Sequence, residues 1–120
     1  MKTDSTFSLV VKLTIRRGEE KFFGPGVAEL LEVIAEKGSV KEACRTMGLS
    51  YSKGRSILKR SERMLGFPLV LIQHGGQGGG AAVITEEAGR LIGLYRELEK
   101  EASEFVRKQS DTLQQMMEKR

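Results

Sequence analysis

The chain has 120 residues, enough for one folded domain with at most one added element, and its 39% hydrophobic and 30% charged content exclude a disordered or fibrous class. No apolar run approaches the roughly 20 residues that span a bilayer, and the opening MKTDSTFSLVV lacks a signal-peptide layout, so a cytoplasmic chain with no membrane partner is expected. A single cysteine, Cys44, excludes an internal disulfide, and together with a single histidine it argues against a structural zinc site.

The odd positions of FSLVVKLTI (Phe7, Leu9, Val11, Leu13, Ile15) are apolar and the even ones polar apart from Val10, which predicts a strand over 7–15 with one buried face. Arg17-Gly18-Glu19-Glu20 predicts a turn, and Lys21-Phe22-Phe23 a short returning strand. Gly24-Pro25-Gly26 opens a helix, since proline suits the first helical position. Its stripe is Val27, Leu30, Leu31 and Ile34, and Gly38 ends it. Ser39-Val40-Lys41-Glu42 reads as a capping box for a short helix with Ala43, Cys44 and Met47 inward and Gly48 as its stop. After Leu49, Ser50 caps a longer helix that runs to about Leu65. Two helices joined by a glycine-containing turn predict a helix-turn-helix.

Charge singles out this pair. Between Lys41 and Arg63 seven basic residues stand against two acidic ones, a local +5 in a chain whose net charge is +4. That concentration is the electrostatic footprint of a nucleic-acid binder. In the second helix Tyr51, Gly54, Ile57, Leu58, Ser61, Met64 and Leu65 share one face. Ser52, Ser56, Lys59 and Arg63 lie almost opposite, flanked by Lys53, Arg55 and Arg60.

Leu69 to Ile72 and Ala82 to Ile84 are short apolar runs on either side of HGGQGGG. The pattern Gly76-x-Gly78-x-x-Ala81 matches a dinucleotide fingerprint in form only, because an extended β-branched run follows it where a helix is needed. No Gly-Lys-Ser/Thr closes a P-loop, and no G-x-S-x-G elbow supplies a nucleophile. An enzyme is therefore not expected. Two strands joined by a glycine-rich tip after a helix-turn-helix predict a β-hairpin wing, with His74 and Gln77 its only polar side chains of any reach. Thr85-Glu86-Glu87 opens a last helix, whose apolar positions keep a helical period almost to the end. A rod of about 50 Å is too long for one small domain to cover and predicts a homodimer through Leu91, Tyr95, Leu98, Ala102 and Phe105.

SVKEACRTMGLSYSKGRSILKRSERMLGFPLV, followed by GGQGGGAAVIT and a long helix, resembles the N-terminal DNA-binding domain of ModE-type molybdate-responsive transcription regulators and, more distantly, the LysR-type winged helix. FFGPG before the first helix, GLSY at the turn and Ala-Val-Ile-Thr after the glycines carry the resemblance. It departs at Gln77, where the family favours a basic residue, at Gly54, where it has a larger one, and at Arg55, where it tends to an aromatic. The resemblance implies a mainly α, α+β winged helix-turn-helix with an N-terminal β-hairpin. Residues 1–85 would form the DNA-binding domain and 86–120 the dimerisation helix. The family's molybdate-binding domain has no counterpart in these residues, so no cofactor is expected in them, and a separate effector-sensing protein is left open as a partner. The expected DNA set is Ser52, Lys53, Arg55 and Ser56 for base edges, Lys41, Lys59 and Arg60 for phosphates, with Ser50, His74 and Gln77 beside them. The expected function is control of molybdate or similar oxyanion transport from a near-palindromic operator. A winged-helix protein-interaction module with incidental DNA affinity is the alternative.

Overall fold

Four helices and two small hairpins follow one another in a computed structural model that describes residues 6–73 and 80–120. Strands β1 (Ile15–Arg17) and β2 (Glu20–Phe23) pair antiparallel around Gly18, whose φ of 60° is the left-handed turn that glycine tolerates. Helix α1 (Pro25–Lys37) starts on its proline and ends at Gly38, whose N–H returns to the carbonyl of Ile34 at 2.7 Å. Helix α2 (Val40–Thr46) and helix α3 (Tyr51–Leu65) are followed by strands β3 (Val70–Ile72) and β4 (Ala82–Ile84), which pair antiparallel with Leu71 opposite Val83. Helix α4 (Glu86–Glu118) closes the chain. Among the described residues no helix is long and apolar enough to cross a membrane.

The core lies where α1, α2, α3, both hairpins and the start of α4 converge. Leu30, Leu31, Ile34, Ala43, Cys44, Leu58, Leu69 and Tyr95 are all at most 2% exposed. Polar anchors set the registers around it. Buried Ser61 donates to the carbonyl of Phe22 at 3.1 Å, tying α3 to β2. The Glu62 carboxylate accepts from the N–H of Leu69 at 2.7 Å and fixes the start of β3. Thr85 caps α4 through the N–H of Ala88 and donates its own hydroxyl to Pro68, so one side chain joins the second hairpin to the last helix. The core thus continues through residues 85 and 86 into the first three turns of α4.

The first strand differs from expectation. Of the predicted 7–15 only Ile15, the first residue of β1, is β-paired, because among the described residues no neighbouring strand lies beside the earlier ones. Residues 6–14 form instead a strap antiparallel to α4. The N–H groups of Phe7 and Leu9 donate to the side chains of Gln114 (2.7 Å) and Ser110 (2.9 Å). Two extended residues rise about as far as four helical ones, roughly 6–7 Å, which is why the spacings match. The alternation survives in another form: Val10 is 92% exposed, whereas Phe7, Leu9 and Val11 are half covered.

The glycine inside α3 is explained by α2. A Cβ built on Gly54 would collide with Sγ of Cys44, so the two helices meet at glycine and thiol. Burial pushes the Cys44 thiol above its ordinary pKa, and the group is an inert packing element. Gly54→Ala gains about 1 kcal/mol of helix propensity but should lower stability overall through overpacking of about 1–3 kcal/mol. In a Cys44→Ala background the loss should shrink or vanish. Urea denaturation of the four proteins tests this, and additive effects would rule the contact out as the cause.

Candidate nucleic-acid interface

Three local devices aim α3. The Ser39 hydroxyl accepts from the N–H of Glu42 at 3.1 Å and starts α2, while the Glu42 carboxylate engages Arg45 rather than returning to the cap. Gly48, at φ 70°, reverses the chain, and the N–H of Leu49 closes back on the Cys44 carbonyl at 2.8 Å. Ser50 then caps α3 through the N–H of Lys53 at 3.1 Å. With Gly54, Leu58 and Ser61 buried, the opposite side of α3 is turned outward.

On that side Ser52, Lys53, Ser56, Lys59 and Arg63 are exposed and Arg55 is partly so. Lys41, at the start of α2, is exposed as well. Among the described residues neither the four cations Lys53, Arg55, Lys59 and Arg63 of α3 nor Lys41 of α2 takes part in an ion pair, whereas Arg45, Arg60, Arg90 and Arg96 all do. No acid lies in the first turn of α3. The result is a rod edge of hydroxyl, ammonium and guanidinium donors with uncompensated positive charge. Such a surface supplies donors to acceptor-rich, anionic partners. Among the described residues no group of three or more His, Cys, Asp or Glu side chains is placed to hold a metal ion.

Several expected residues stand differently. Arg60 faces the first hairpin: Nε pairs with Glu20 at 3.0 Å and Nη2 donates to the Lys21 carbonyl at 2.8 Å, because the helical turn places it beside β2 rather than beside Lys59. Ser50 holds the backbone of α3 as its cap, so its side-chain oxygen is already engaged. His74 and Gln77 lie outside the described residues. Gly80 adjoins them at a position where a Cβ would collide with the Gln73 carbonyl.

Tyr51, expected on the inner face, is 49% exposed. It lines a cleft of about 310 Å³ with Ser39, Val40, Lys41, Ile72 and Gly80, between the starts of α2 and α3 and the second hairpin. As the first residue of α3 it precedes the turn that the core grips, which the helical spacing alone did not register. It belongs with the candidate interface.

On α4 the single predicted stripe resolves into two. Ala88, Leu91, Ile92 and Tyr95 pack into the head, and Ala102, Val106, Leu113 and Met117 continue this partly buried side. Tyr95 is 1% exposed, its ring edge-on to Phe23 at 5.3 Å and its hydroxyl donating to the Leu13 carbonyl at 2.8 Å. It serves its own chain's core, and a partner cannot reach it. The second stripe holds Leu94, Leu98, Phe105 and Met116, which fall within about 40° of one another around the helix and are 44–66% exposed. Leu98 and Phe105 were expected here, Leu94 and Met116 were not. With Leu13 and Thr14 of the strap and Ile15 of β1, Leu94 and Leu98 line an apolar groove.

Comparison with known proteins gives this surface a context. No family model matches the chain. Over 114 residues, 95% of the chain, it is 31% identical to the molybdenum transport protein ModE of Herbaspirillum seropedicae, of which it covers 40%. It is 33% identical over 71% of its length to the DNA-binding transcriptional dual regulator ModE of Escherichia coli K12, covering 32% of that protein. It is 36% identical over 58% of its length to the molybdenum-pterin-binding protein MopB of Rhodobacter capsulatus, covering 26%. The chain therefore spans two fifths or less of these relatives.

Ser50→Ala should destabilise the fold by about 1 kcal/mol, the usual cost of a lost N-cap. Thermal or urea melts of the DNA-free protein measure it, and an unchanged midpoint would mean that the hydroxyl does not hold α3.

Proposed function

Over the region it shares with them the chain belongs with the ModE-type proteins, and from that premise we propose that it is a winged helix-turn-helix transcription regulator that binds duplex DNA as a homodimer. The observation that carries the proposal is the unpaired, hydroxyl-rich cationic edge of α3 beside a two-stranded hairpin. In this reading α3 enters the major groove. Ser52, Lys53, Arg55 and Ser56, near its start, meet base edges, since the first turns of a recognition helix lie deepest. Lys41 and Lys59 hold phosphates on either side, helped by the N-terminal amides of α2 and α3. Arg60 is left to the first hairpin. Tyr51, at the cleft, adds an aromatic edge facing the same groove.

Dimerisation follows from the outer stripe of α4. An apolar row of Leu94, Leu98, Phe105 and Met116 on a helix of 33 residues, with the strap groove beside it, suits the same row of a second copy. Two heads on one dyad would read a near-palindromic site. Control of molybdate or similar oxyanion transport is proposed from the relatives' names, and a cytoplasmic location from the DNA-binding reading. A protein-interaction module is the competing reading, favoured by the same exposed stripe. It would bind DNA with no preferred sequence.

Two measurements test the proposal. The affinity for duplex DNA should fall with salt by about 0.9 log units per log unit for each phosphate neutralised. Lys59→Ala should weaken every sequence alike and flatten that slope, whereas Arg55→Ala should relax base preference by about 1–3 kcal/mol. Salt-independent affinity, or equal and sequence-blind losses from both variants, would contradict it. Separately, Phe105→Asp should leave the melting curve of the head in place and halve the mass seen by light scattering. A parent protein already at monomer mass at micromolar concentration would remove the dimer from the proposal.

A further inference from the structure

We infer that Arg96 is a positioning residue that sets the spacing at which two copies read DNA, an inference that rests on the dimeric DNA-binding reading above. The argument begins with where α4 leaves the head. Its last buried residue is Tyr95, and the helix then continues from Glu97 to Glu118 past the core. That length beyond the head is roughly 33 Å, and the strap follows it as far as Ser110 and Gln114. Ala88, Leu91, Ile92 and Tyr95 seat the first turns of α4 in the head, and Arg96 follows them as the charged tie to α1 at the point where the helix leaves.

At that point one side chain joins two helices. The Arg96 guanidinium forks onto Glu32 of α1, with Nη2 to Oε1 at 2.6 Å and Nε to Oε2 at 3.1 Å. Its remaining nitrogen, Nη1, donates to Glu99 one turn on at 2.8 Å, and its Cζ lies 5.7 Å from the centre of the Tyr95 ring. The Arg96 guanidinium holds the Glu32 carboxyl below the usual range, so the pair stays ionised at neutral pH. Both partners are more than a third exposed, so its contribution to stability is small. Its geometry is not small in effect, because a two-point fork fixes direction as well as distance. Tyr95 beside it adds one hydroxyl bond and one ring edge.

Leverage turns direction into spacing. A tilt of about 10° at Arg96 carries the far end of α4 by about 6 Å, more than the roughly 3.4 Å between neighbouring base pairs. Glu32 stands on α1, which packs directly against α2 and α3, so the fork ties the reading helix to the rod. If two rods join through the outer stripe, the angle at Arg96 fixes how far apart the two α3 helices stand.

The test selects binding sites from a randomised DNA duplex library with the full chain, in parallel for the parent, Arg96→Lys, Glu32→Gln and Glu99→Gln, after circular dichroism has verified folding. The parent should enrich paired half-sites at a single spacing. Arg96→Lys keeps the charge but loses the fork, and Glu32→Gln keeps the shape but loses the ion. Both should enrich the same half-site sequence with the single spacing lost. Glu99→Gln should keep it, since Glu99 does not reach another element. Retention of the parent spacing by both Arg96→Lys and Glu32→Gln overturns the inference while leaving the DNA-binding reading intact. Loss of the half-site sequence itself in both also overturns it, since the damage then reaches the reading helix. A parent that enriches only unpaired half-sites removes the dimer and this inference with it, and a parent that enriches nothing removes DNA reading altogether.

Discussion

Tyr95 reaches out of α4 into the head, and three parts of the chain meet on it. Its ring sits edge-on to Phe23 of the first hairpin, its hydroxyl holds the Leu13 carbonyl of the strap, and the helix that bears it carries the forked Arg96 next in sequence. Burial of an aromatic ring with its polar tip satisfied is among the stronger single contributions a small core can have. Without it the strap would lose its inner anchor and α4 its seat. The charged face of α3 would then have no defined relation to the stripe on α4. Head and rod are one structural unit because this side chain lies in both.

The helical head is economical in a different way. Glycine at 54 lets α2 and α3 approach over the Cys44 thiol, at a cost in helix propensity that the close packing offsets. Capping at Ser39 and Ser50 aligns both helices without charge, so the positive groups on the outer face stay uncompensated. The acids nearest α3 are engaged inward or sideways: Glu62 with the backbone of β3, Glu20 with Arg60, Glu42 with Arg45. Electrostatic contrast on this surface therefore comes as much from where the carboxylates are held as from where the lysines stand.

Much of this was legible in the residues because it is local. Proline at 25, glycine at 38, serine at 39 and 50 and threonine at 85 act within one helical turn, and the structure has each where its chemistry requires. The outward face of α3 and the pairing of Val70–Ile72 with Ala82–Ile84 follow from spacing in the same way. Misreadings arose where the partner was distant. The period-two pattern of residues 7–15 is real, yet alternation states only that one face is covered, and the cover turned out to be a helix about a hundred residues away. Arg60 is cationic in any sequence reading, and only the fold brings Glu20 to it.

The chain's sequence by itself determined which segments are helical, where each begins and ends, and that the positive charge gathers on one short rod. These properties depend on backbone conformation and on neighbours three or four residues apart. Tertiary structure decided which apolar positions of α4 face inward and which remain uncovered, and it decided that Tyr95 is core. A helix presents every azimuth equally, and only the placement of other elements around it distinguishes one stripe from another. The direction of the rod relative to the head is of the same kind: Arg96 and Glu32 are 64 residues apart, and nothing short of the folded chain places them in contact.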